Sequence, residues 1–124
     1  MSDQRPIGTV LENRLMGEGV YVTDCERRGD DLVLEYEVVT ETPAITSHEV
    51  GTVVRTVLAV ADEREGWEPG GLEATSTTTD GAVRGTWRVE GDWFRRLHDD
   101  LSEVEFSERV LGTVDLAGDG QQVQ

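Results

Sequence analysis

His98-Asp99-Asp100 and Glu103 form the densest group of metal-ligand side chains in the chain. On a helix, Asp99 and Glu103 stand i, i+4 on one side, while His98 and Asp100 lie elsewhere. Four ligands from this single segment do not converge on one ion. The expectation is a solvated acidic face that collects hydrated cations loosely, and no metal site is assigned. His48 falls in the first turn of a helix, where an imidazole can meet a ligand at the positive end of the helix dipole. It has no second ligand at metal spacing, so an exposed first-turn residue is the simpler reading. His48 and His98 remain the candidate ligand contacts. Cys25 sits in a strand; beside Arg27 and Arg28 alone it lacks the base that a nucleophilic thiolate needs, and it reads as an inert, half-buried thiol. No catalytic constellation and no cofactor motif emerge.

The arginines carry a sharper hypothesis. Arg84, Arg88, Arg95 and Arg96 fall within thirteen residues. Period-2 alternation puts Arg84 and Arg88 on one sheet face, and Arg95 and Arg96 begin the next helix. Such a patch could meet an acidic surface, a nucleotide or a nucleic acid. Pairing with the abundant neighbouring carboxylates is the competing reading, and it is favoured. High salt weakens phosphate binding steeply, so nucleic acid is a disfavoured partner. Trp67, Trp87 and Trp93 read as core and edge packing rather than a base-stacking platform. Gly17-Glu18-Gly19 and Pro69-Gly70-Gly71 lack the strand-to-helix context of a phosphate-binding loop and read as connections.

These side chains must be positioned by a short series of elements. Ile7, Val10, Leu11 and Leu15 approach helical spacing between Pro6 and Gly17, which predicts a helix over 6–16. Residues 20–27 and 32–40 read as a hairpin about Arg28-Gly29-Asp30-Asp31; Leu32, Leu34, Tyr36 and Val38 share one face. Thr46 and Glu49 form a T-x-x-E capping box, with Ile45 and Val50 at the spacing of a hydrophobic staple. Val50, Val53, Val54, Val57, Leu58 and Ala61 then form one buried stripe of a central helix. A second hairpin, 72–79 and 82–90, turns on Asp80-Gly81, the dipeptide of a two-residue type I′ turn, with Val83, Trp87 and Val89 on one face. Asp92 can cap a last helix carrying Trp93, Leu97, Leu101 and Val104. Residues 106–116 are open between helix and strand, and 117–124 read as a disordered tail.

The order α-β-β-α-β-β-α predicts one α+β domain over residues 1–116. Its economical form is an antiparallel sheet of about four strands with helices on one face. The order resembles that of small chaperone-like α+β domains that bury a partner or dimerise through the sheet and one helix.

Composition bounds the rest. The 124 residues include 26 Asp and Glu, and the eleven basic residues are all arginine, for a net charge of -15. Such a charge destabilises a compact state in dilute buffer, and salt relieves it. Lysine's apolar stem is a liability where salt drives apolar surface together; arginine's head is more delocalised. The composition resembles that of proteins from extremely halophilic archaea, which implies a salt-rich cell interior. Hydrophobic residues at 36% still suffice for a core. A single cysteine allows no internal disulfide, no apolar run is long enough to span a membrane, and the N-terminus has no signal-type segment, so a cytoplasmic protein is expected.

The resulting expectation is a small, non-catalytic binding or interaction domain, with a protein partner or a second copy as its target. The homodimer interface is expected to include part of residues 93–116, where Trp93, Phe106, Val110 and Leu111 exceed what one short helix needs for internal packing. The alternatives are a ligand-binding protein or enzyme with a pocket between sheet and helices, and nucleic-acid binding through the arginines.

Overall fold

Two β-hairpins and the helix that joins them build the domain. A computed structural model describes residues 6–39, 45–63, 69–97 and 99–116. Helix α1 (Ile7–Met16) follows Pro6 and buries Ile7, Val10, Leu11 and Leu15, the four positions that the spacing selects. Strands β1 (Val20–Arg28) and β2 (Asp31–Val38) pair antiparallel about Gly29, whose φ of +66° is one that glycine adopts without a Cβ clash. In β2, Leu32, Leu34 and Tyr36 turn inward.

Helix α2 (Ser47–Glu63) begins with the expected reciprocal cap. The Glu49 N–H donates to Thr46 Oγ1 at 3.1 Å, and the Thr46 N–H donates to Glu49 Oε1 at 3.1 Å. Val50, Val53, Val54 and Val57 are buried, and Val60 extends the stripe. Valine is a mediocre helix former, so this helix is held by what it packs against. Strands β3 (Leu72–Thr77) and β4 (Val83–Val89) form the second hairpin. The Thr78 N–H donates to Ala82 O at 2.8 Å, so the loop holds three residues, Thr79-Asp80-Gly81, rather than two. Gly81, at φ +89°, supplies its left-handed position.

The sheet departs from the expected four antiparallel strands. It has five, in the order β1-β2-β3-β4-β5, and the pairing is mixed. β2 and β3 run parallel, with Leu32 opposite Leu72 and Tyr36 opposite Ser76. A tight turn joins antiparallel neighbours; the connection between β2 and β3 instead contains α2, which returns the chain to the end of the sheet where β2 began. The fifth strand, β5 (Asp115–Leu116), covers part of the β4 edge.

The single last helix is also a correction. It is two helices, α3 (Gly91–Arg96) and α4 (Glu103–Leu111), separated by Leu97–Ser102. Glu90, not Asp92, occupies the cap position of α3, and Asp92 lies in its first turn. Ser102 and Glu105 form a second capping box that starts α4 afresh. This restart rotates the buried face. Phe106 and Val110 point into the core, whereas Val104 is 68% exposed. In α3, Phe94 is buried and Trp93 only half-buried; the Phe94 and Phe106 ring centroids are 5.7 Å apart.

The helices share one sheet face: α1 lies on β1, α2 lies beside α1 and α4, and α4 reaches β4. The other face presents Tyr21, Glu35, Glu73, Thr86 and Arg88 to solvent. No helix among the described residues is long and apolar enough to cross a membrane. The expected tail at 117–124, His98 and Trp67 lie outside the described residues.

Candidate functional site

Arg84 is the side chain that the alternation misplaces. Ser76 pairs with Gly85 and Thr77 with Val83, which leaves Arg84 as the extra residue of a β-bulge in β4. The bulge turns its guanidinium inward and turns Val83 out to 50% exposure. Arg84 Nη1 donates to Glu49 Oε1 at 2.9 Å, to Glu49 Oε2 at 3.1 Å and to Ser76 Oγ at 2.8 Å. The Glu49 carboxylate also accepts from Tyr36 Oη at 2.8 Å and from Ser76 Oγ at 2.9 Å. Trp87 Nε1 in turn donates to Tyr36 Oη at 2.8 Å. Burial and the Glu49 charge push the Tyr36 phenol well above its ordinary range, against the opposing effect of the Trp87 hydrogen bond. Every side chain of this cluster is hydrogen-bonded to another member, so its chemistry is that of a buried structural ion pair.

The remaining arginines of the proposed patch do not gather into one surface with it. Arg88 lies on the outer sheet face, 3.6 Å from Glu90. Arg95 meets Asp92 at 3.1 Å, and Arg96 lies 3.6 Å from Asp92 and 3.0 Å from Asp100. The Arg96 hydrogen bond holds the Asp100 carboxyl below its usual range. His48 is exposed. Cys25 is half-buried beneath α1, where an added Cβ at Gly8 would lie 3.2 Å from its Sγ. Burial, reinforced by Asp24, pushes the thiol up despite Arg27, the opposite of activation. Among the described residues, no group of three or more His, Cys, Asp or Glu could hold a metal ion.

A cleft of about 390 Å³ lies between α2 and α4. On α2 its lining residues are Ser47, Val50, Gly51, Val54, Arg55 and Leu58, an i, i+3, i+4, i+7 stripe continued for three turns. Leu97, Phe106, Val110 and Leu111 supply the opposing apolar wall, with Glu103 and Ser107 beside them. Phe106 and Val110, assigned to a dimer surface by the sequence reading, are instead buried within their own chain. Of its apolar lining Leu111 remains 38% exposed, and Val104, one turn before Glu108 on α4, is exposed without lining the cleft.

Arg55 stands on α2 at the cleft, and an added Cβ at Gly51 would lie 2.9 Å from its Nη1. The guanidinium is therefore folded back over the helix, in the space that glycine leaves. Among the described residues Arg55 makes no ion pair. The sequence reading missed both the cleft and Arg55. The signal was the second α2 stripe running through Gly51 and Arg55, next to the core stripe of valines.

Residues 1–119 match a family model described as a domain of unknown function (DUF8159). No curated protein and no solved structure matched the chain.

Proposed function

The chain belongs to the DUF8159 family, a family of unknown function, and we propose that this domain is a non-catalytic, salt-adapted interaction domain that self-associates through the α2–α4 face. The observation that carries this reading is the apolar cleft with exposed Leu111 in its wall and exposed Val104 on the same helix. Apolar surface kept open on a chain of charge -15 is surface with a use. Among the described residues, the charged groups lining the cleft are Arg55 and Glu103, and neither described histidine nor thiol lines it. That composition suits an interface more than a reaction centre. The acidic, lysine-free composition supports a salt-rich cytoplasm as the setting.

A small apolar ligand in the same cleft is the second reading, because the volume falls within the range of ligand pockets. Light scattering in molar KCl separates the two. Self-association gives about twice the chain mass of 13.7 kDa, and Leu111→Asp returns it to the monomer mass. A monomeric wild-type chain ends the self-association reading and leaves the ligand.

A further inference from the structure

The cleft and a surface that complements it occur in the same chain. Val104 and Leu111 lie seven residues apart on α4 and therefore form one ridge on a single flank. Glu108 lies four residues after Val104 and three before Leu111, exposed on the outer side of that ridge. The α2 side of the cleft has the opposite arrangement: apolar side chains with Arg55 beside them, Glu103 standing on the α4 wall. An apolar ridge flanked by a carboxylate thus matches an apolar trough flanked by a guanidinium.

We propose that the occupant of the α2–α4 cleft is α4 of a second copy, related by a two-fold axis. The Val104–Leu111 ridge rests against the partner's Leu58, and Glu108 pairs with the partner's Arg55. The symmetry repeats both contacts, so α2 and α4 of the two chains form a four-helix layer with two ion pairs across it. This rests on the self-association reading and specifies its geometry.

Two physical points favour this occupant. Within one chain Arg55 makes no ion pair among the described residues, although Glu103 lines the same cleft and acidic residues outnumber basic ones by 26 to 11. A cation left over in so acidic a chain is a strong discriminator for where a carboxylate can approach. An arginine also keeps its charge and its planar donor fork on burial, and a partly buried pair is screened by salt far less than an exposed one. The pair can therefore set the register of the dimer in the same molar salt that screens the general repulsion between two chains of -15.

The test is a charge-swap cycle followed by analytical ultracentrifugation in molar KCl. Arg55→Glu and Glu108→Arg each raise the dimer dissociation constant by about tenfold or more. The double variant, Arg55→Glu with Glu108→Arg, restores it towards the wild-type value. Arg28→Glu, which makes the same charge change at the β1–β2 turn, leaves association unchanged. Far-UV circular dichroism confirms that each variant is folded. A dimeric wild type whose single variants behave like Arg28→Glu overturns this pairing while self-association stands. A double variant no tighter than the singles does the same. A monomeric wild type overturns both readings, and native mass spectrometry of that monomer then shows whether a small apolar molecule fills the cleft.

Discussion

The Arg84 guanidinium lies 2.9 Å from the Glu49 carboxylate, with the two side chains 1% and 3% exposed. They come from a strand bulge and a helix cap 35 residues apart. Glu49 serves both structures: it closes the α2 capping box with Thr46 and receives the donors of Tyr36, Ser76 and Arg84. Removing either charge leaves the other buried without its counterion. Arg84→Met or Glu49→Gln should each lower stability by about 3–5 kcal/mol, measured by urea denaturation in molar KCl. The double variant Glu49→Leu with Arg84→Met should cost less than the sum of Glu49→Leu and Arg84→Met, because no orphaned charge remains. Strict additivity would show that the two side chains do not interact.

Alkaline pH should reach the same cluster through Tyr36. Its folded-state pKa is raised above the ordinary value of 10.0. The stabilisation by the neutral phenol is therefore complete below that value and drains away as pH rises from it toward the folded-state pKa. Thermal midpoints should fall on that alkaline side, and Tyr36→Phe should remove part of the fall. The same substitution should lower stability near neutral pH by about 1–3 kcal/mol, because Trp87 Nε1 loses its acceptor. An alkaline profile identical in wild type and Tyr36→Phe would exclude the phenol as the source.

Salt should decide whether the domain folds at all. At -15 the repulsion among carboxylates is relieved when the Debye length shrinks to about 3 Å in molar salt. Far-UV circular dichroism should report the native helix content in molar KCl and its progressive loss on dialysis into dilute buffer. Equal stability in both would remove the physical basis for reading the composition as an adaptation to salt.

The amphipathic patterns identified α1, α2 and the four main strands, because each buries one face and the sequence repeats with the period of that face. The bulge was harder to see: one extra residue reverses the alternation without changing the residue types around it. Gly85 was its local sign, since an added Cβ there would lie 2.6 Å from Asp115 O and 2.9 Å from Ile45 Cδ1. The break before α4 was written as Ser102-x-x-Glu105, yet the apolar spacing of Leu97, Leu101 and Val104 overrode it in the sequence reading. The parallel seam could be argued from the helix lying between the two hairpins, but strand patterns alone carry no direction. The cleft depends on which faces of α2 and α4 are left apart after packing, and neither helix sequence contains that information by itself.

Glu49 holds donors from three neighbouring strands: Tyr36 on β2, Ser76 on β3 and Arg84 on β4. Each hairpin can form from its own local contacts, but the β2–β3 seam between them closes only across α2. A half-assembled sheet would bury this carboxylate with part of its donor set missing, a state raised in energy by the same low dielectric that favours the complete one. The carboxylate thereby ties the two hairpins to each other and to α2, an arrangement that favours folding as one cooperative unit.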